Sequence, residues 1–138
     1  MTAPCDGIVR AALVTDEDVV RLRKLVREDM IALRFNLTEQ TKMVTAASEL
    51  ARNVLRYGGG GHAELEQLTR GGRDGVRIAF IDHGPGIADM DLAMTEGYTS
   101  GGGMGLGLPG ARRLADEFEI DSKPGAGTTV VITKWKSF

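Results

Sequence analysis

Three groups of residues in this 138-residue chain have the types and spacing to do chemistry. In Ser48-Glu49-Leu50-Ala51-Arg52-Asn53, Glu49 and Asn53 stand four apart, which on a helix puts them one turn from each other on one face. A carboxylate there suits general-base work, and an amide oxygen suits a hard cation. The same pattern also suits a solvated helix face with Arg52 and Arg56 as its surface charges. In the second group, alternation puts Val76, Ile78, Phe80 and Asp82 on one side of a strand, just before the turn Gly84-Pro85-Gly86. A carboxylate that continues an apolar face either sits at the sheet edge in solvent or is buried with a partner. Buried, Asp82 is an acceptor in a small apolar pocket, suited to an exocyclic amine; its other reading is the initiator of the Gly-Pro-Gly turn. The third group is Thr99-Ser100-Gly101-Gly102-Gly103-Met104-Gly105-Leu106-Gly107-Leu108-Pro109-Gly110, a glycine run opening onto a helix. Exposed backbone N–H groups and the helix dipole favour an anion there, and Pro109 suits a first turn. The alternative is a disordered lid that holds nothing.

Glycine supplies 19 residues, and they fall in clumps rather than in a collagen period or a long linker. Ordering a glycine costs about 0.5–1 kcal/mol more than ordering an alanine, so a dense clump needs a reason. Glycines 58–61, 71, 72, 75 and 125 are read as helix stops and hairpin turns with positive φ, and Gly97 as a hinge. Gly105-Leu-Gly107-Leu-Pro-Gly110 matches a dinucleotide fingerprint literally but fails on context, with no preceding strand and no acidic residue at the right distance.

The formal net charge is −2, which provides no basic field for nucleic acid or anionic lipid. Apolar runs fall far short of the roughly 20 residues that span a bilayer, and the start MTAPCDG does not read as a signal peptide. Cytoplasm is the expectation. One cysteine (Cys5) excludes an internal disulfide, and with His62 and His83 it makes no zinc spacing.

These groups need elements to position them. The pattern predicts a strand over Ile8–Val14, then a helix capped by Thr15 and Asp18 with Val19, Leu22, Val26, Met30 and Leu33 as its stripe. That stripe faces the core or a second copy of the chain. Asn36-Leu-Thr38 breaks that helix and caps a second one, with Met43, Ala46 or Ala47, Leu50 and Val54 inward, stopped at Gly58. Strands over Ala63–Thr69 and Val76–Asp82 follow, joined by a turn at 70–75. A third helix starts near Gly105 and buries Leu108, Ala111, Leu114, Ala115 and Phe118, and a closing hairpin pairs Glu119–Ser122 with Thr128–Trp135. The expected fold is α+β, one layer of helices on a mostly antiparallel sheet.

Glu49…Asn53, Asp82-x-Gly84-x-Gly86, Gly103-x-Gly105-x-Gly107 and Gly127-Thr128, in that order, resemble the N, G1 and G2 boxes and terminal Gly-Thr of the GHKL ATPase/kinase superfamily. The resemblance runs from about Ile8 to Trp135. Within the superfamily, TAASELARNVLRYGGGG, DHGPGI, EGYTSGGGMGLGLPGARRLADEFEI and GTTVVITKW are similar to the small bacterial serine kinases of the RsbT/RsbW group. A histidine-kinase member would carry a phosphoacceptor hairpin and a gyrase- or chaperone-type member a far longer chain, so a single domain over residues 1–138 is expected.

The resemblance implies a Bergerat fold, a two-layer α/β sandwich that binds ATP with Mg²⁺. Asp82 would accept from the adenine amino group, helped by water and Thr128, with Gly84 and Gly86 letting the backbone near the base. Asn53 would ligate Mg²⁺, and Thr99, Ser100, Gly101, Gly102, Gly103, Met104, Gly105, Leu106 and Gly107 would line the phosphates. Glu49 would orient or deprotonate a serine or threonine hydroxyl of a partner protein. The lid is short and poor in basic residues, which leaves Arg52, Arg56 and Arg112 as unranked candidates for the γ-phosphate. The implied activity is protein serine/threonine phosphorylation of a STAS-domain antagonist or scaffold, in a stress or sigma-factor partner-switching pathway, with a phosphatase or sigma factor downstream. The alternatives are an RsbW-like anti-sigma factor that binds a sigma factor and phosphorylates its antagonist, and a non-catalytic nucleotide-gated binding module. Glu49 and Asn53 argue against the last, and the ending KWKSF favours an RsbT-like over an RsbW-like kinase. Monomer and homodimer both stay open.

Overall fold

The computed structural model describes residues 7–87 and 108–137. Strands β1 (Ile8–Leu13), β2 (Gly61–Arg70), β3 (Arg73–Asp82), β4 (Glu117–Lys123) and β5 (Gly127–Trp135) form one sheet in the order β1-β2-β3-β5-β4. All four pairings are antiparallel. Helices α1 (Asp16–Ala32), α2 (Leu37–Arg56) and α3 (Leu108–Leu114) complete the described elements, with α2 packed between α1 and α3. The expected α+β arrangement of helices on an antiparallel sheet is what forms.

Both long helices open on reciprocal caps. Thr15 accepts from the Asp18 N–H while the Asp18 carboxylate accepts from the Thr15 N–H, at 3.3 and 3.0 Å. Asn36 and Glu39 do the same for α2, at 2.8 and 2.9 Å. Each exchange satisfies backbone donors that the first turn of a helix otherwise leaves orphaned. The α1 stripe Val19, Leu22, Val26 and Met30 is buried, so it serves the core rather than a second copy. Between the helices Arg34 takes φ 65°, and the next residue, Phe35, turns into the core and donates to the Met30 carbonyl at 2.9 Å.

Alternation divides the sheet into two faces. Ala63 and Leu65 of β2, Val76, Ile78 and Phe80 of β3, and Val130 and Ile132 of β5 are buried with Met43, Ala46, Ala47, Leu50 and Val54 of α2. The opposite face carries Glu64, Glu66, Arg77 and Glu119.

Three boundaries depart from the sequence reading. The β2–β3 turn is only Gly71-Gly72, both with positive φ (60° and 79°). A two-residue turn of that hand matches the strand twist, so both strands run on to Arg70 and Arg73. Gly75 is therefore not in the turn; it sits in β3 opposite Trp135, whose ring occupies the space a side chain would need. Phe118 belongs to β4, opposite Ile132, not to the third helix. Two residues past α3, Asp116 donates its N–H to the Thr133 carbonyl at 2.9 Å and accepts from the Trp135 N–H at 2.7 Å. That pairing starts β4 two residues before the expected Glu119.

The first turn of α2 is also tied to the residue two places past β5. Glu39, 7 % exposed, accepts from the Ser137 N–H at 3.0 Å and from its hydroxyl at 2.7 Å. Burial pushes this carboxyl up, and the hydrogen bonds from Ser137 and Asn36 together outweigh burial and hold it below the usual range. A carboxyl whose pKa falls on folding stabilises fully above its unfolded value of about 4.3, and that contribution is lost as pH drops through the lower folded value. Glu39→Gln should therefore cost about 1–2 kcal/mol at pH 7. In urea melts the gap between variant and parent should shrink as pH is lowered toward 3; a gap of constant size contradicts this linkage.

Candidate functional site

Helix α2, the end of β3, the start of β5 and Leu108 of α3 border an open cleft. Leu50 and Val54 of α2, Phe80 of β3, Val130 of β5, Ile87 and Leu108 give it apolar walls. Asn53, Tyr57, Asp82 and Thr128 supply its polar groups. An apolar slot with a few convergent polar groups is the usual form of a small-molecule site.

Asp82 reaches the cleft because β3 alternates. Val76, Ile78 and Phe80 point into the core, and the next position on that side is Asp82, at the strand's last residue. Its carboxylate accepts from the Gly84 N–H at 2.9 Å, so the turn-initiating role and the cleft-facing role belong to the same residue. Asp82 pairs with Thr128 on β5, and Thr128 pairs with Ser122 on β4. Three polar residues thus make a row across three strands, and the Ser122 and Thr128 hydroxyls are 2.7 Å apart.

Asn53 and Glu49 are both on α2, one turn apart, and they divide between two places. Asn53 lines the cleft. Glu49 does not; its side chain is 38 % exposed and meets Arg52 at 3.7 Å. Of the candidate γ-phosphate contacts, Arg52 holds that ion pair, and Arg56 and Arg112 are exposed. Gly86 lines the cleft with φ 77° and lies against the Lys123 carbonyl, whereas Gly84 faces the Gly58 backbone. Thr99, Ser100, Gly101, Gly102, Gly103, Met104, Gly105, Leu106 and Gly107 lie outside the described residues, as does the expected helix start near Gly105.

Residues 38–137 match the family of histidine kinase-, DNA gyrase B- and HSP90-like ATPases. The chain belongs to this family. Among curated relatives of this GHKL chain, the serine/threonine-protein kinase RsbT of Bacillus subtilis is 42 % identical over 123 residues, covering 89 % of this chain and 92 % of that one. The anti-sigma F factor of Clostridium beijerinckii is 34 % identical over 105 residues, 71 % of this chain and 72 % of the relative. Among solved structures, a Mycobacterium tuberculosis chain with RsbU and RsbW domains superposes with TM-score 0.64 at 19 % identity, over 94 % of this chain and 33 % of that longer one. The catalytic domain of the histidine kinase ThkA superposes with TM-score 0.54 at 15 % identity, over 93 % and 96 % of the two chains. At those identities the superpositions speak to the fold.

The GHKL fold implies ATP use, and the chemistry of the cleft's lining suits a purine. Its apolar walls match the faces of a base, and a carboxylate at one end matches an exocyclic amine. Asn53 offers one oxygen ligand for Mg²⁺; phosphates and water would have to supply the others, as is usual for that ion.

Two contributors were not singled out from the sequence. Ser122 continues the alternation Phe118, Ile120 on β4, the same signal of a polar residue ending an apolar face that marks Asp82 on β3. The sequence pattern makes Gly58 a helix stop with positive φ. It has no such φ; the Asp82 carboxylate occupies the space where its side chain would be. Gly58→Ala should displace Asp82 and weaken ATP binding at least about tenfold by calorimetry. Gly59→Ala, with open space around it and φ 73°, should cost about 1 kcal/mol of stability and leave affinity unchanged. Equal affinities for the two variants would remove Gly58 from the site.

Proposed function

We propose that this chain is an ATP-dependent protein serine/threonine kinase that phosphorylates a STAS-domain antagonist or scaffold protein in a bacterial partner-switching pathway. The observation that carries the reading is the division of labour on α2. Asn53 faces the cleft with Asp82 and Thr128, while Glu49 sits one turn away outside it, open to a protein surface. A nucleotide-gated binding module needs the first arrangement and has no use for the second.

In this mechanism Asp82 accepts from the adenine amino group, and Leu50, Val54, Ile87 and Val130, which line the cleft, would pack against the base. Asn53 would hold Mg²⁺ through its amide oxygen at the phosphate end, and the ion would supply charge neutralisation for the transferring group. Residues 99–107 are assigned to the phosphates. Glu49 accepts the proton of the incoming hydroxyl as its oxygen bonds to the γ-phosphorus and the bond to the ADP oxygen breaks. The rest is positioning, so small displacements are costly. No described helix is long and apolar enough to cross a membrane, and the cytoplasm is the proposed location. Residues 1–138 are proposed as one domain, since one sheet and one core hold all the described elements.

Purified protein given ATP, Mg²⁺ and a STAS-domain partner should transfer phosphate to that partner. Glu49→Gln should slow transfer about 100-fold or more with ATP affinity kept. Asp82→Asn should lose affinity by at least about tenfold. Nucleotide binding without transfer to any such partner would leave the binding module as the better reading. The anti-sigma F factor relatives support a second reading, an RsbW-like chain that holds a sigma factor directly. Capture of a sigma subunit on immobilised protein would favour it, and capture of a phosphatase would favour the RsbT-like reading.

A further inference from the structure

The nucleobase end of the cleft contains a hydroxyl that does not line it. Ser122, half-buried on β4, makes three contacts through one oxygen. It accepts from the Ile87 N–H at 2.8 Å, lies 2.7 Å from the Thr128 hydroxyl, and is 3.3 Å from the Gly127 carbonyl. Thr128 and Ile87 both line the cleft. The Gly127 carbonyl accepts only, and the Ile87 N–H donates only.

One arrangement of protons satisfies every contact in the row. Ser122 has one proton and already spends one lone pair on Ile87. With its proton on the Gly127 carbonyl, its second lone pair receives the proton of Thr128, and every contact is satisfied. Thr128 then turns its proton away from the cleft and presents lone pairs to it. Asp82, the register partner of Thr128 on the other side, presents carboxylate oxygen to the same end. Two acceptors side by side favour a base edge that carries a donor and repel one that carries a carbonyl. Leaving a buried polar group mispaired in this way costs far more than a lost methylene does.

The geometry points to Ser122 as a positioning residue for base selection: by taking the proton of Thr128, it makes the site discriminate an amino from a carbonyl group at the purine 6-position. This rests on the ATP-binding reading above and extends it to a residue that touches no ligand. Without the Ser122 oxygen, the Thr128 hydroxyl is released to rotate and donate into the cleft, so a 6-carbonyl purine gains relative to adenine.

The test is the ratio of ITP to ATP dissociation constants, measured by calorimetry with Mg²⁺ on the folded full chain. The parent should bind ATP and strongly disfavour ITP. In Ser122→Ala the ratio should fall about tenfold (about 1.4 kcal/mol), while Ser122→Thr, which keeps the hydroxyl, should restore it. Thr128→Val removes the same polarised group and should lower the ratio too, and the Ser122→Ala/Thr128→Val double variant should add nothing further. A Ser122→Ala protein that weakens both nucleotides equally, ratio intact, makes Ser122 merely structural and overturns the inference. If Ser122→Ala does not fold, an intact ratio in Thr128→Val overturns it instead. A parent that binds neither nucleotide overturns the ATP-binding reading itself and this inference with it.

Discussion

A carboxylate at the end of an apolar strand face governs this molecule. Asp82 follows three core residues on the same side of β3, so the pleat that buries Phe80 also delivers a carboxylate to the rim of the core. A charge in that position must find donors or water, and the chain around it is shaped accordingly. The turn after β3 donates the Gly84 N–H, and Gly58 leaves out the side chain that would occupy the carboxylate's place. Gly84 in turn rests on the Gly58 backbone, so α2 and the turn approach each other through two residues without side chains. Asn53 reaches the same cleft from α2 because that helix has to lie close for Leu50 and Val54 to cover Phe80.

The sheet and the helix layer divide the work differently. The strands contribute groups at one level, Asp82, Thr128 and Ser122, set by cross-strand register and therefore rigid relative to one another. The helix contributes groups at successive turns, Glu49 and Asn53, set by the 3.6-residue period and separated along the axis. In the proposed reading, register would select what the base end of the site accepts, and helical rise would separate the phosphate end from the surface where a protein substrate would arrive.

Much of this was legible in the sequence, because the strongest signals are local. The caps at Thr15 and Asn36, the α1 and α2 stripes and the Asp82 alternation each depend on residues within a turn or a strand of one another. What was misread depends on contacts distant in sequence. Phe118 continues the α3 stripe on paper, but the Asp116 contacts with β5 end the helix first. Gly75 looks like a turn glycine until Trp135 is placed over it, 60 residues later. Gly58 and Ser122 belong to the site only once β3, β4 and β5 are in register. Composition marked glycine as abundant, but only the neighbours show which glycines bend the chain and which make room.

The contact between Glu39 and Ser137 has a temporal side. Ser137 leaves the ribosome 98 residues after Glu39, so the nascent α2 can close its own capping box with Asn36 long before its second set of donors exists. Closing so wide a loop carries an entropic cost that the pairing of β5 with β3 already meets in the folded chain. The helix that carries Asn53 and Glu49 thus takes its final anchorage from a residue made only when almost the whole described chain has been synthesised.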